Sequence, residues 1–405
     1  MSEWKELSSI TSKIGSGLTP RGGNSVYTDN GISLIRSQNV LDMDFSTENL
    51  AYIDEVQAEK LKNVIVEKND ILLNITGDSI ARCTIVPEEI LPARVNQHVS
   101  IIRCKNTEQS KYVMYYLQYI KKYLLQISKV GGTRNALTKE AISKLPIKIS
   151  EDWNRISTIL DNIDRKIKIN NQINLELEAM AKILYDYWFV QFDFPDQNGK
   201  PYKSSGGKMV YNPKLKREIP EGWGVEKLRD LCQYVSEKVD SSELNIENYI
   251  GTDNMIEDMG GIELTTSIPK SGTSTKFSVG DILISNIRPY FKKIWLSDRT
   301  GGCSADVLCI RTKKIIPKEF VYATLARDDF FNYDVAGSKG SKMPRGDKKH
   351  IMEYPVVFEF GIVEQYSEIV KPIYEAVHKN NNQNQELTQL RDWLLPMLMN
   401  GQVII

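Results

Sequence analysis

The stretch KINNQINLELEAMAKILYDYW (Lys168–Trp188) returns later in the chain as KNNNQNQELTQLRDWLLPML (Lys379–Leu398). Each copy has an Asn-rich patch, then Glu-Leu, then an apolar seam ending in Trp and Leu. In the first, Leu160, Ile163, Ile167, Leu177, Met180, Leu184 and Tyr187 fall at three- and four-residue steps. Val370, Ile373, Val377, Leu387, Leu390, Leu394 and Met397 repeat them at an offset of 210. Such steps are the coiled-coil pattern. Both seams are interrupted at the same places, by Asn170 and Asn174 and by Asn380 and Asn384. A buried Asn lowers stability but penalises other registers, because an amide facing an aliphatic side chain is unsatisfied. The matched interruptions predict that the two helices pair with each other; the simpler alternative packs each on its own domain. Pro372 stands where the first helix has Asn162, which predicts an early kink in the second.

The rest of the chain is duplicated too. VEKNDILLNITGDSIARCTIV (Val66–Val86) aligns with FSVGDILISNIRPYFKKIWL (Phe277–Leu296) through Asp70-Ile71-Leu72 and Asp281-Ile282-Leu283. NQHVSIIRCKN (Asn96–Asn106) parallels SADVLCIRTKK (Ser304–Lys314), and VGGTRNALTKEAISKLPI (Val130–Ile147) parallels GSKGSKMPRGDKKHIMEYPV (Gly337–Val356). Short β-branched strands bounded by Gly, Asn, Asp and Pro, mixed with helical patches, read as α+β. The predicted order is a globular domain at 1–152, a helix at 153–193, a Pro-, Gly-, Ser- and Lys-rich linker at 194–222, a similar globular domain at 223–360 and a second helix at 361–405. A helix from Arg155 to Phe192 spans ~55 Å at ~1.5 Å per residue. Antiparallel pairing would set the two domains at opposite ends about a pseudo-two-fold axis, whereas parallel pairing would crowd them at one end. Two recognition points at a fixed separation suit duplex DNA, which has two-fold axes of its own.

Charge balance limits this reading. Lys+Arg and Asp+Glu both number 52, where a protein that grips DNA unaided usually has a basic excess. No apolar run reaches the ~18 residues of a membrane span, and MSEWKELSS lacks the basic and apolar regions of a signal peptide. The five cysteines form no CxxC pair, and His98, His350 and His378 have no HExxH spacing. A cytoplasmic protein with reduced thiols and no membrane association is expected.

Across essentially its whole length the sequence resembles the specificity subunits of Type I restriction–modification systems. KREIPEGW (Lys216–Trp223) and AKILYDYWFVQFDFP (Ala181–Pro195) carry the resemblance most strongly, supported by the Asp-Ile-Leu of each half and the duplicated order. The resemblance implies two target-recognition domains separated by two helices that form an antiparallel coiled coil. Each domain would read one half of a split DNA site, with the coil setting the unread gap. It implies no catalysis and no cofactor in this chain. Two modification subunits would methylate adenine with S-adenosylmethionine, and restriction subunits would translocate and cut double-stranded DNA.

Base edges favour Arg, Lys, Asn and Gln, and phosphates favour cations, hydroxyls and backbone amides. In the first domain these point to Arg36, Gln38 and Asn39, to Asn74, Thr76 and Arg82, and to Lys129, Thr133, Arg134 and Asn135 beside a glycine pair. In the second they point to Thr252 and Asn254, to Asn286, Arg288, Tyr290, Lys292 and Lys293, and to Lys339, Lys342, Arg345 and Lys348. A charge run is usually just a solvated loop, but here the loops recur at equivalent places. Tyr185, Trp188 and Phe189, with Trp393 and Leu394 in the second copy, are either buried or form a docking surface for modification subunits.

A methyltransferase would need an Asn/Asp-Pro-Pro-aromatic motif, and a nuclease Pro-Asp followed by Glu-x-Lys; neither is present. A coiled-coil adaptor with protein-binding heads is the remaining alternative, slightly favoured by the zero net charge.

Overall fold

The computed structural model describes residues 3–129, 135–340 and 342–403. The chain divides into two compact units, 1–170 with 382–405, and 171–381.

The first unit contains β1 (Glu3–Glu6), β2 (Thr11–Ser16), β3 (Ile32–Ile35), β4 (Ala51–Ile53), β5 (Ile65–Val66), β6 (Ile71–Asn74), β7 (Cys83–Ile85), β8 (Ala93–Val95), β9 (Val99–Cys104) and β10 (Pro146–Ile149). One sheet has the order β2-β9-β6-β7 and a second β4-β3-β8-β5, with β3 and β8 parallel. β1 pairs with β10, so the chain enters and leaves the domain on adjacent strands. The central strand ILLN is buried at every position because both faces of its sheet are covered. Ile71 and Leu73 join Tyr112, Tyr115 and Leu117 of the helix Ser110–Tyr119 in one core, while Leu72 faces Leu34, Ile53 and Val95 in another.

The second unit repeats this frame with β11 (Met209–Asn212), β12 (Arg217–Pro220), β13 (Gly224–Lys227), β14 (Cys232–Tyr234), β15 (Lys238–Asp240), β16 (Tyr249–Ile250), β17 (Thr273–Phe277), β18 (Ile282–Ser285), β19 (Ile294–Leu296), β20 (Gly301–Cys303), β21 (Val307–Thr312) and β22 (Pro355–Phe358). β13 pairs with β22, and β14-β21-β18-β19 matches β2-β9-β6-β7. The other sheet, β15-β17-β20-β16, keeps the parallel contact between β16 and β20. Its extra strand, however, lies beside β17, whereas in the first unit the extra strand lies beside β3. The stretch 194–222, expected as a linker, is folded: β11 and β12 form a hairpin, and Phe194 stacks on Tyr202 and Trp223 at 4.8 Å each.

The long helices are Trp153–Tyr185 and Phe360–Asn400, the second continuing through Pro372. In the first unit their segments run antiparallel: Asn170 Nδ2 donates to Gln383 Oε1 and Asn384 Oδ1 at 2.9 Å, and Arg391 pairs with Asp164 at 2.8 Å. The second unit shows the same direction. Asn174 Nδ2 donates to Asn381 Oδ1 at 2.7 Å, Asn380 Nδ2 to Asn174 Oδ1 at 2.8 Å, and Tyr366 to the Ala181 carbonyl at 3.3 Å. Two seam positions differ from expectation. Met180 is 57% exposed and Leu390 43%, because a strict alternation of steps carries the seam to Ala181 and Arg391 instead.

Candidate nucleic-acid interface

In the first domain four loops converge. Asn74, at the end of β6, donates from Nδ2 to the carbonyls of Ser37 (2.8 Å) and Val40 (3.2 Å), fixing the turn at 36–40. The next residues bind the other two loops: Ile75 N donates to the His98 carbonyl at 3.0 Å, and Leu137 N to the Ile75 carbonyl at 2.9 Å. Thr76 forms a bridge with Ala136, and its Oγ1 lies 2.6 Å from His98 Nδ1. Arg82 closes the hairpin through its carbonyl, which accepts from Asn74 N. Lys129 and Asn135 are exposed at the rim; Thr133 and Arg134 lie outside the described residues.

The second domain builds the same junction. Asn286 N donates to the Asp306 carbonyl (2.8 Å), Arg288 N to the Pro344 carbonyl (2.8 Å), and Ile287 bridges Arg345. Arg345 pairs with Asp306 at 3.0 Å, and Lys293 Nζ donates to the Thr252 carbonyl at 3.0 Å. Tyr290, Lys339, Lys342, Arg345 and Lys348 are exposed. Two further cations also have close acidic partners: Lys292 pairs with Asp328 at 2.7 Å, and Lys339 with Asp347. Lys339 and the amides of Lys349 and His350 hold the Asp347 carboxyl down at about 2.

Several expected readers turn out to be scaffold. Asn39 and Asn254 are buried and make equivalent brackets. Each Oδ1 accepts a backbone N–H three residues upstream, from Arg36 and Gly251, and each Nδ2 reaches a carbonyl nine residues on, at Glu48 and Glu263. Asn74 is fully buried in the clamp described above, and Asn286 turns its Oδ1 inward. The aromatic helix end is corrected likewise. Tyr185, Trp188 and Phe189 are buried with Phe320 and Tyr366 in the core of the second unit, so they form no docking surface. In the second copy the residues named differ: Trp393 is 58% exposed, Leu394 is partly buried against the first unit's core, and the positions equivalent to Tyr185, Trp188 and Phe189 are the buried Leu395, Leu398 and Met399.

Sequence reasoning missed the loops 96–98 and 304–306, which are central to both junctions. Their signal was available in the parallel between NQHVSIIRCKN and SADVLCIRTKK. It also missed Asp334, which is fully buried with both carboxylate oxygens unpartnered; burial pushes its carboxyl up to about 6, opposed by nearby His350. Asp334 and Asn286 point at the free face of Gly346, where a Cβ would lie 2.4 Å from Asp334 Oδ1 and 2.9 Å from Asn286 Oδ1. Among the described residues nine buried side-chain polar atoms lack a partner, and six belong to Arg36, Asn74, Asn286, Arg288 and Asp334. Such groups are rare in folded interiors, so their gathering marks these junctions as the least self-sufficient parts of each domain.

Comparison with known proteins finds relatives for this chain. Residues 6–179 match the Type I restriction modification DNA specificity domain. The chain is 25% identical over 342 residues to the Type I restriction enzyme MjaIX specificity subunit of Methanocaldococcus jannaschii, covering 77% of this chain and 73% of the relative. It is 21% identical to the HindI specificity subunit of Haemophilus influenzae, covering 100% of both. The chain is similar to Type I specificity subunits over most of its length. The S subunit structure from M. genitalium shares the specificity-subunit fold with it, at a TM-score of 0.59 and 13% identity, over 98% of this chain and 96% of that one. Two related mixed α/β domains with two long helices supply the duplicated frame on which paired loop junctions stand. Among the described residues no helix is long and apolar enough to cross a membrane.

Proposed function

We propose that the chain is the DNA-reading subunit of a Type I restriction–modification complex and has no catalytic step of its own. Each domain reads one half of a bipartite site with its loop junction, and the coiled coil sets the unread gap. Its partners are double-stranded DNA, two modification subunits that bring S-adenosylmethionine, and the restriction and translocase subunits, in the cytoplasm. The observation that carries this reading is the recurrence of one loop junction with unpartnered buried polar atoms in both halves of the chain, crowned in the second by a set of exposed cations. Zero net charge fits a reader whose grip on phosphate is shared with partner subunits.

The test is the host's adenine methylome with this gene intact and deleted. Loss of one split motif, two short half-sites around a fixed gap, is the expected result. An unchanged methylome with the partner methyltransferase expressed would overturn the reading and leave the adaptor alternative.

A further inference from the structure

The two junctions are alike in backbone and differ in the side chains that crown them. In the first, the turn 96–99 is closed twice: His98 N donates to Asn96 Oδ1 at 3.0 Å, and Val99 N to the Asn96 carbonyl at 3.2 Å. Gln97 sits at its exposed tip. Its Nε2 lies 3.3 Å from His98 Nε2, while His98 Nδ1 lies 2.6 Å from Thr76 Oγ1. One tautomer satisfies both contacts. With its proton on Nδ1, the imidazole donates to Thr76 and accepts an amide hydrogen from Gln97 at Nε2. The relay Thr76–His98–Gln97 therefore fixes an exposed amide while leaving its Oε1 and second N–H pointed away from the imidazole. An exposed polar side chain oriented by a half-buried partner has the preorganisation that recognition needs.

The second junction keeps the turn, with Val307 N donating to the Ser304 carbonyl at 3.1 Å, but places Ala305 at the tip. The residue equivalent to His98 is Asp306. It holds Arg345, reaching in from the Gly-rich loop, at 3.0 Å, and the arginine side chain is 56% exposed. In both domains, then, the residue before the long strand (β9 or β21) orients one exposed side chain, an amide in one case and a guanidinium in the other.

We propose that this is a shared base-reading position: Gln97, held by His98, reads one base pair of the first half-site, and Arg345, held by Asp306, reads one of the second. A Gln amide matches the N7 acceptor and N6 donor of adenine, and a guanidinium matches the O6 and N7 acceptors of guanine. The first domain therefore commits to an A·T pair at this position and the second to a G·C pair. His98 and Asp306 are positioning residues. The inference rests on the DNA-reading function proposed above and adds to it the residues and the base chemistry.

The experiment uses the full-length chain assembled with its modification subunits, and a duplex panel in which each base pair of the wild-type motif is replaced in turn. Q97A is expected to lose about 5- to 100-fold discrimination at a single A·T pair of one half-site, with the other half-site unaffected. H98A should relax the same pair, and the double variant Q97A/H98A should be no worse than Q97A alone, since both act through one contact. T76V, which retains the backbone bridge to Ala136, covers the case in which H98A unfolds the loop and should shift the same pair more weakly. R345A and D306A should relax one G·C pair of the opposite half-site. Unchanged discrimination at every pair in Q97A, or relaxation spread over both half-sites, would overturn the inference while the bipartite reading stands. A wild-type complex that reads no split motif would overturn both.

Discussion

Arg103 grips Asp70 through two parallel hydrogen bonds, Nε to Oδ1 and Nη2 to Oδ2, both 2.8 Å, and Arg311 repeats the grip on Asp281 at 2.7 and 2.8 Å. Asp70 is fully buried and Asp281 nearly so. Each carboxylate also accepts a backbone N–H three residues upstream, from Glu67 and from Ser278, at 2.7 Å. A bidentate charged pair locks the turn that crosses from one sheet to the other before β6, or β18, to the far end of the long neighbouring strand.

Removing one partner of such a pair leaves a buried charge uncompensated. Arg103→Met should destabilise the first domain by about 3–5 kcal/mol, and Arg311→Met the second by a similar amount. Urea unfolding followed by proteolysis of each half would report which domain melts first. Equal effects of both variants on both halves would contradict the domain-local role.

Asp334 gives the second domain a pH dependence of definite sign. Its folded carboxyl titrates at about 6, above the unfolded value, so its contribution is fully present below about pH 4 and is lost as pH rises through about 6. The loss is on the order of 3 kcal/mol. Asp334→Asn should flatten the stability profile between about pH 4 and 6 and leave the variant more stable than wild type at pH 7.5. Thermal melts across that range check it; a D334N profile parallel to wild type would sink the idea.

The tryptophans in the two copies of the helix motif, at different register positions, should behave differently. Trp188→Ala removes a buried ring packed near Phe189 and Tyr366 and should cost about 3–5 kcal/mol. Trp393→Ala should leave the melting temperature within a degree or two and weaken assembly with the modification subunit, measured by analytical ultracentrifugation. Intact assembly by W393A would remove Trp393 from the docking surface.

The asparagine ladder offers a test of register. Asn174→Leu strips Asn381 Oδ1 and Asn380 Nδ2 of their partner and should cost about 1–3 kcal/mol. Adding Asn380→Leu should return stability while admitting alternative pairings, visible as mixed species in light scattering. A double variant that remains a single species would mean that register is set elsewhere.

The duplicated frame was legible because it repeats as apolar runs: Asp-Ile-Leu and the strand ending in Ile-Arg each recur, and both are buried on two faces. What failed was the side on which polar residues lie. Asn39 and Asn254 have the composition of base readers, yet their amides are spent within the fold. The clue was positional, since each stands three residues after the N–H it accepts. Trp188 and Trp393 stand at different places of the motif: at the offset of 210, Trp188 answers the buried Leu398 and Trp393 the exposed Ile183, so register decides which of the two is buried. Gln97 and His98 went unread because they form a short turn just ahead of a strand and sit in no basic or Gly-rich run.

The pairings β1–β10 and β13–β22 bring the two ends of each domain side by side. A module whose first and last strands are neighbours can be cut out of one gene and set into another without rerouting the chain on either side. Inheritance of specificity in such a lineage would then proceed by exchange of whole halves, each recombinant arriving with a new half-site and an unaltered frame.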